Sequence, residues 1–381
     1  MIYLDNAATS GRKPETVYEA VIRAMKECSG NPGRSGHKIS LKAGSTVEEA
    51  RINLSRLFGC EDASRMVFCS NATDALNLAI KGIVSAGSHV ITSSMEHNSV
   101  ARPLEALKTE MGVKVTKVKT DLDKGADINE IENSITPDTS LVVINHISNV
   151  TGTVSDIAAI GRICREKNVP FLVDASQSAG AFDINVEEMC IDMLAFPGHK
   201  SLMGPQGTGA LYISPAIDLK PLKQGGTGSR SELLTMPDIM PDRFESGTLN
   251  VPGIAGLGAG AEFILETGIK NIEEKESALT GQLADGLSEI EGVKVFAPGE
   301  GFKRGGAVSI TMDGMEPQDA GLIMDQAFDI AVRAGLHCAP DAHTALGTIE
   351  TGGTIRISPG YFNTEEDIEK CIEAVSQLAE G

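Results

Sequence analysis

The sequence lacks any cluster of basic residues. Its 33 Lys and Arg are outnumbered by 52 Asp and Glu, so the formal net charge at pH 7 is −19. A surface of this charge repels both the phosphate backbone of a nucleic acid and the headgroups of anionic lipids. The charge balance therefore disfavours nonspecific binding to nucleic acid or to an anionic membrane as the function of this chain.

Long apolar runs and cysteine clusters are missing as well. Met1 is followed by neither a charged leader nor an extended apolar segment, so we expect no signal peptide and no membrane span. The 7 cysteines are scattered, without a CxxC pair or a Cys/His group at zinc spacing, which predicts no metal site. Reduced thiols and a cytoplasmic location are the corresponding expectations.

Strand and helix patterns alternate from about residue 15 to residue 254, with no internal repeat. This alternation is typical of the α/β class, a mostly parallel sheet with helices on both faces. A length of 381 residues suggests about two domains. We predict a large domain over residues 15–255 and a smaller α+β domain in the remainder.

The second half of the chain has its own pattern. After the glycine-rich stretch 253–260, residues 262–290 predict one long helix. Residues 293–296 and 307–312 predict strands, and residues 365–378 predict a C-terminal helix. Together these elements would form the smaller domain.

Lys200 and Asp174 each follow an apolar run that resembles a buried strand. Taken singly, they are a surface lysine and a turn aspartate. Taken together, they fit a pyridoxal 5'-phosphate site, because a lysine amine forms a Schiff base with the cofactor aldehyde and a carboxylate keeps the pyridine nitrogen protonated. Ligands of open α/β sheets bind beyond the carboxyl ends of strands, where both residues are expected.

Ala72 and Thr73 begin an apolar periodic segment directly after a predicted strand, residues 66–69. The free N–H groups of such a helix N-terminus bind phosphate, and the Thr73 hydroxyl adds a donor. An ordinary helix cap is the alternative interpretation of the same turn.

Three more polar residues follow predicted strands. His97, in the loop after residues 89–92, has an imidazole that can stack on a pyridine ring or carry a proton, although an isolated histidine in a loop needs no such role. Gln177 lies just after Asp174, where it is placed to bond the cofactor phenolate oxygen. Asn149 follows the apolar run 141–144. Five strand ends would thus converge on one ligand.

Several segments resemble the class V aminotransferase fold, and specifically the cysteine desulfurases. The resemblance covers the whole chain and implies fold type I of the pyridoxal-phosphate-dependent transferases, a homodimer, and a small domain in which residues 1–14 join residues 256–381. The segments that carry it are Tyr3–Thr9, Met95–Asn98, Ser148–Thr153, Val173–Gln177, Gly198–Lys200 and Phe244–Thr248.

The segment Arg333–Ala339 resembles the cysteine loop of group II cysteine desulfurases and of selenocysteine lyases. The resemblance implies that the Cys338 thiolate attacks the substrate sulfur, which requires partial exposure and deprotonation. A free cysteine is more often a buried structural thiol, but Gly335 and Pro340 indicate a loop here. His337 is a possible helper, unless it faces the other way from Cys338.

Arg356 matches the substrate-carboxylate arginine of the same family, and a planar guanidinium can hold a carboxylate bidentately. Its separation from Cys338 is short, as in group II members. Asn149 and Arg34 are further candidates for substrate binding, and Arg34 lies in a loop, residues 30–37, that resembles the substrate-entry loop.

One position departs from the family pattern. Pro197 stands where a phosphate-binding serine or threonine is usual, and it has neither a hydroxyl nor an N–H. Thr73, His199 and Thr248 would then bind the phosphate, and the resemblance implies that Thr248 reaches the cofactor of the neighbouring subunit.

The sequence thus predicts a homodimeric cysteine desulfurase that converts L-cysteine to L-alanine and holds the sulfur as a persulfide on Cys338. The alternatives are a selenocysteine lyase acting on selenocysteine, another C–S lyase, a transaminase, and a non-catalytic scaffold. Transamination has no use for Cys338, and intact Lys200, Asp174 and Arg356 argue against a scaffold. Residues 339–344 differ from those of the familiar sulfur-assembly enzymes, so the identity of any sulfur-acceptor protein stays open.

Overall fold

The computed structural model describes residues 1–33 and 35–380. A sheet of seven strands forms its centre, and a sheet of four strands lies further along the chain. The strands are β1 (Ile2–Tyr3), β2 (Met66–Cys69), β3 (His89–Ser93), β4 (Lys114–Val118), β5 (Thr120–Asp121), β6 (Gly125–Ala126), β7 (Thr139–Asn145), β8 (Phe171–Asp174), β9 (Met193–Pro197), β10 (Gly209–Ile213), β11 (Val293–Phe296), β12 (Val308–Met312), β13 (Ile330–Ala331), β14 (Arg333–Gly335) and β15 (Thr354–Ile357).

Helices cover the sheets and connect most of the strands. They are α1 (Glu15–Glu27), α2 (Lys38–Leu57), α3 (Ala72–Ile83), α4 (Asn98–Met111), α5 (Ile128–Ser134), α6 (Ile157–Glu166), α7 (Val251–Thr267), α8 (Ile269–Ser288), α9 (Pro317–Phe328), α10 (Pro340–Leu346) and α11 (Glu365–Ala379).

The central sheet has the strand order β2-β10-β9-β8-β7-β3-β4. Only β10 runs antiparallel to its neighbours, so the predicted mostly parallel sheet and the α/β class are confirmed. Strands β3, β8, β9 and β10 are buried along their whole length, as expected when helices cover both faces of a parallel sheet. The carboxyl ends of β2, β3, β7, β8 and β9 therefore lie on one edge of the sheet.

The prediction of a single helix over residues 262–290 was wrong. Helix α7 begins earlier and includes the glycine-rich stretch, and Gly268, with φ of 86°, separates it from α8. The glycines allow close packing, because a Cβ at Gly258 would collide with Ala50 of α2 and one at Gly260 with the carbonyl of Leu202. The local periodicity of the sequence does not show which neighbouring elements these glycines pack against.

The four-stranded antiparallel sheet has the order β11-β12-β15-β14, and β1 pairs in parallel with β13. The N-terminal arm thus lies against the C-terminal part of the chain. Helix α7 runs through residue 255, and the domain boundary at that position stays a prediction. None of the helices within residues 1–33 and 35–380 is both long and apolar enough to cross a membrane.

Candidate active site

A cavity of about 210 Å³ opens where the carboxyl ends of β2, β3, β7, β8 and β9 meet. The structure brings nine of the sequence-predicted residues to its wall: Ala72, Thr73, His97, Asn149, Asp174, Gln177, His199, Lys200 and Arg356. The other residues of the wall are Ala7, Ala8, Asn71, Ser99, Asn145, Ile147, Ser176, Pro197, Arg333 and His337.

Lys200 and Asp174 face this cavity from the ends of neighbouring strands. Asp174 is only 3% exposed, and its Oδ1 accepts a hydrogen bond of 2.9 Å from the backbone N–H of Ser176. Burial lowers the pKa of Lys200 to about 8, although the Asp174 carboxylate opposes this shift. A fraction of the Lys200 amine is therefore neutral, and nucleophilic, near neutral pH.

His97 caps the N-terminus of α4 through its ring. Its Nδ1 accepts a hydrogen bond of 3.0 Å from the backbone N–H of Ser99. A ring nitrogen that accepts carries no proton, so the neutral imidazole holds its proton on Nε2. Burial lowers the pKa of His97 to about 4, while Asp174 acts in the opposite direction, and the ring is neutral at physiological pH.

The N-terminus of α3 forms one end of the cavity, and we call it the anion-binding end because helix N-termini are suited to anions. The backbone N–H groups of Ala72 and Thr73 have no acceptor among the described residues, as is usual in a first helical turn. His199 lies nearby, its ring neutral because burial lowers its pKa to about 4. Pro197 ends β9 at the cavity wall without a donor, so the donors here come from α3 and the side chain of Thr73.

Arg356 is a buried cation on β15, only 1% exposed. Its Nη2 donates to Asp5 Oδ1 at 2.8 Å, and its Nη1 donates to the backbone carbonyl of Asn149 at 3.0 Å. These two bonds fix the plane of the guanidinium. Its Nε has no partner within the described part of the chain.

Cys338 is exposed, as predicted, and follows β14. The Nη2 of Arg333 lies 3.6 Å from its Sγ, and Arg333 itself lines the cavity. The loop is held firmly, because Asn98 N donates to Cys338 O at 2.7 Å and Asn149 Nδ2 donates to His337 O at 2.8 Å. Cys338 is not among the residues of the cavity wall, whereas its neighbours Arg333 and His337 are, so the thiol lies beside the cavity.

His337 faces the opposite way from Cys338 and is buried. Its Nε2 donates to the backbone carbonyl of Thr354 at 3.1 Å, and burial lowers the pKa of His337 to about 2. The ring is therefore neutral and contributes no positive charge to the thiol. Arg333, and not His337, is the cation that contacts Cys338.

Thr248, like Cys338, is not among the residues of this cavity wall. Thr248 is exposed and lines a separate cavity of about 170 Å³, where Asn31 Nδ2 approaches its Oγ1 at 3.5 Å. Arg34 lies outside the described residues.

The model of the family described as aminotransferase class-V matches residues 2–371. This chain belongs to the aminotransferase class-V family. A probable cysteine desulfurase of Methanothermobacter thermautotrophicus is 36% identical to it over 99% of this chain and 94% of the relative.

Solved structures resemble the whole chain as well. An apo cysteine desulfurase from Thermococcus onnurineus NA1 has a TM-score of 0.91 and 32% identity, covering 100% of this chain and 95% of that one. A cysteine desulfurase from Escherichia coli in an S-sulfonic acid form has a TM-score of 0.89 and 27% identity, covering 100% of this chain and 94% of that one.

This class-V cavity contains four buried polar atoms that have no hydrogen-bond partner among the described residues. They belong to residues on different sides of the wall: Asn149 Oδ1, His199 Nδ1, His337 Nδ1 and Arg356 Nε. Buried polar groups are normally satisfied, because leaving one unpaired costs about 1–3 kcal/mol. The wall therefore suits a polar ligand with several donors and acceptors.

Sequence reasoning missed three residues of the class-V site. Asp5 pairs with Arg356 from the opposite end of the chain, a contact that no local pattern signals. Arg333 belongs to the Cys338 segment, and its positive charge close to a predicted thiolate was a usable signal. Ser99 contacts both Thr73 and His97, but its sequence position suggests only a residue in the first turn of a helix.

Proposed function

We propose that the protein is a pyridoxal 5'-phosphate-dependent cysteine desulfurase, which converts L-cysteine to L-alanine and takes up the sulfur as a persulfide on Cys338. One observation carries the proposal. Arg333 lines the same cavity as Lys200 and Arg356 and also contacts the exposed Cys338 thiol at 3.6 Å. A nucleophilic thiol beside an amino-acid site has a direct use in desulfuration.

The cavity wall fits the cofactor group by group. Thr73 and the free N–H groups at the start of α3 would bind the phosphate, together with the unpaired Nδ1 of His199. Asp174 would pair with the pyridine nitrogen. Gln177 Nε2 donates to Ala7 O at 3.0 Å and retains a second N–H for the phenolate oxygen.

When bound, pyridoxal 5'-phosphate would supply an aldehyde for Lys200 and a ring that holds an electron pair from the α-carbon. Lys200 Nζ, with a pKa of about 8, is the group suited to remove the α-proton. His97 already holds a proton on Nε2, so it acts as a donor and a stacking surface rather than as that base. This assignment refines the dual role predicted for His97.

Arg356 would bind the carboxylate of L-cysteine. Its Nε–H is unpaired, and Nη1 and Nη2 each retain one further N–H beyond their bonds to Asn149 O and Asp5. The unpaired Oδ1 of Asn149 offers an acceptor in the same region. Together these groups would orient the amino acid so that its side chain points toward Cys338.

The sulfur-transfer step needs no oxidant or reductant besides Cys338 and the substrate. The Cys338 thiolate forms an S–S bond with the sulfur of the substrate while the substrate C–S bond breaks. The carbon is reduced and, after taking up a proton, becomes the methyl group of alanine, whereas the sulfur is oxidised to the persulfide level. The Arg333 guanidinium, 3.6 Å from Sγ, would contact the thiolate during the attack.

The homodimer belongs to the same proposal. Thr248 is exposed, and its segment is anchored by Glu245, whose carboxylate accepts two bonds from Arg51 of α2 at 2.8 and 3.0 Å. An anchored, outward-facing hydroxyl supports a role for Thr248 in the site of the second subunit. The exposure of Cys338 likewise supports delivery of sulfur to an acceptor protein, in the cytoplasm that the sequence predicts.

The decisive experiment gives purified protein L-cysteine, L-selenocysteine or cysteine sulfinate in separate reactions. We expect alanine from L-cysteine and a mass increase of one sulfur on the peptide that contains Cys338. Borohydride reduction should attach the cofactor to Lys200 and to no other lysine. Alanine release from L-selenocysteine alone would instead indicate a selenocysteine lyase, and labelling of a different lysine would refute the site.

A further inference from the structure

Ser99 connects the anion-binding end of the cavity to the His97 ring. It is only 7% exposed, and its Oγ lies 2.8 Å from Thr73 Oγ1 and 2.9 Å from His97 Nδ1. Its backbone N–H donates to the same Nδ1 at 3.0 Å. One serine therefore contacts both a proposed phosphate donor and the ring that faces the substrate.

The two hydroxyl groups provide two hydrogens, and this number limits their hydrogen bonds. Nδ1 of His97 has no hydrogen to give in the neutral ring, so it accepts from the Ser99 hydroxyl. Ser99 Oγ in turn accepts from Thr73. Without an anion, therefore, the Thr73 hydroxyl donates to Ser99 and the Ser99 hydroxyl donates to His97.

Binding of an anion reverses the direction of the hydrogen bond between Thr73 and Ser99. Its oxygen can only accept, so Thr73 donates to it and no longer donates to Ser99. The Ser99 hydroxyl then satisfies Thr73 Oγ1, and His97 Nδ1 retains only the backbone N–H of Ser99. That remaining bond preserves the tautomer with the proton on Nε2, while the ring loses one of its two donors.

We propose that Ser99 is a positioning residue whose hydroxyl relays phosphate occupancy at Thr73 to the His97 ring. The proposal rests on the function inferred above, in which Thr73 binds the cofactor phosphate. Hydrogen bonds in such a chain polarise one another, so a change at Thr73 reaches His97 without movement of the backbone. Binding of the phosphate would then make Nε2 of His97 a weaker donor, because a donor to Nδ1 strengthens the opposite N–H.

The relay predicts a signal that is independent of catalysis. The full-length protein, labelled with ¹⁵N-histidine and freed of cofactor, is titrated with inorganic phosphate while the Nδ1 resonance of His97 is followed by NMR. We expect this resonance to move downfield, toward the position of a nitrogen with fewer donors. In Ser99→Ala, where Nδ1 has the same single donor throughout, the phosphate-induced movement should be lost.

Three further variants complete the test. Ser99→Thr retains the hydroxyl and should restore the response, whereas Ser94→Ala, whose serine lies outside the cavity, should respond as the parent protein does. Thr73→Val should weaken phosphate binding by about tenfold, the loss expected for one charge-assisted hydrogen bond, and should also abolish the response.

The outcomes separate the relay from the function on which it rests. If phosphate moved the Nδ1 resonance of His97 equally in the parent protein and in Ser99→Ala, the charge of the phosphate would be acting on the ring directly. That result would overturn the relay but not the proposed cofactor site. Phosphate binding that shifts the amides of Ala72 and Thr73 but leaves Nδ1 of His97 unchanged in the parent protein would overturn it too. If phosphate shifts neither the amides nor Nδ1, both the relay and the proposed cofactor site are wrong.

Discussion

The guanidinium of Arg356 lies 2.8 Å from the carboxylate of Asp5, a residue near the opposite end of the chain. The Arg356 side chain is almost fully buried. Beside this pair, the backbone N–H of Asn6 donates to the backbone carbonyl of Ser358. The N-terminal arm thus completes the cavity and fixes the guanidinium in one plane. In the proposed function, a substrate carboxylate would meet a cation that is already oriented, and binding would not have to order it.

Replacing Arg356 with lysine keeps the positive charge but removes the planar fork. One charge-assisted hydrogen bond is worth about 1.5–3 kcal/mol, so the affinity for L-cysteine should fall about tenfold or more. Cysteamine has the amine and thiol of cysteine without the carboxylate, and its affinity should hardly change. Titrations of the cofactor absorption band with both compounds measure the difference.

Arg243→Lys provides the matched control for this experiment, because Arg243 forms ion pairs at the surface with Asp218 and Asp238. It should bind both compounds as the parent protein does. Equal losses for L-cysteine and cysteamine in Arg356→Lys would mean that Arg356 supports only the fold. Asn149 and Arg34 would then be the remaining candidates for the carboxylate.

The positions of Lys200 and Asp174 were predictable because Asp174 ends a buried apolar strand and Lys200 comes three residues after another. The carboxyl ends of parallel strands meet at one edge of the sheet. The break between α7 and α8 was not predictable, since Gly268 lies within a continuous helical pattern. The ion pair between Asp5 and Arg356 could not be predicted from the sequence either. Such contacts depend on how distant segments pack, which a local pattern does not encode.

Capture of the cofactor by Lys200 should depend on pH. Only the neutral amine attacks an aldehyde, and burial lowers the pKa of Lys200 to about 8. The rate at which cofactor-free protein takes up pyridoxal 5'-phosphate should therefore rise with pH and level off above about 8. Stopped-flow absorbance measures this rate.

Asp174 gives the pH experiment an internal check. Its carboxylate raises the pKa of Lys200, so Asp174→Asn should move the midpoint of the rate profile to lower pH. Lys223→Ala, at a surface lysine paired with Asp74, should leave the midpoint unchanged. A midpoint that stays fixed in Asp174→Asn would argue that the two side chains do not interact as the geometry indicates.

Removing the thiol should separate substrate binding from sulfur transfer. Cys338→Ala retains Lys200 and Arg356, so L-cysteine should still perturb the cofactor spectrum with an affinity within about twofold of the parent value. No persulfide should form, and alanine production should fall to background. Cys190→Ala, at a cysteine outside the cavity, is the control. Full desulfurase turnover in Cys338→Ala would refute the persulfide route.

The Arg51–Glu245 pair should be important for stability. Both side chains are buried, and Glu245 also accepts a bond of 2.7 Å from the backbone N–H of Phe68. Glu245→Ala removes the buried carboxylate partner of Arg51 and leaves this cation with the exposed Glu48 carboxylate at 3.4 Å and the Met66 carbonyl. Breaking a buried ion pair typically costs about 3–5 kcal/mol. The midpoint of urea unfolding should fall sharply.

The exposed Lys108–Glu105 pair is the matched control, because removing such a pair changes stability by at most about 1 kcal/mol. Glu105→Ala should therefore unfold at nearly the urea concentration of the parent protein. Similar midpoints for Glu245→Ala and Glu105→Ala would show that the buried pair adds no stability beyond that of a surface pair.

Glu96 should make the fold less stable as the pH rises. Its Oε1 accepts from Ser93 Oγ at 2.6 Å and from Asn145 N at 3.0 Å, while its buried Oε2 has no partner in the described part of the chain. Burial raises the pKa of Glu96 from 4.5 to about 8, so the folded state favours the protonated acid.

The sign of the effect follows from this raised pKa. The contribution of protonated Glu96 to stability is complete below the unfolded value of 4.5 and is lost as the pH rises through about 8. Glu96→Gln is neutral at every pH, so it should unfold at a temperature that falls less between about pH 5 and about pH 9 than that of the parent protein. Glu105→Gln, at an exposed carboxyl, should retain the parent slope. If the unfolding temperatures of Glu96→Gln and the parent protein fell in parallel with pH, Glu96 would be ionised in the folded state throughout this range. Its unpaired oxygen would then have access to a cation or to water.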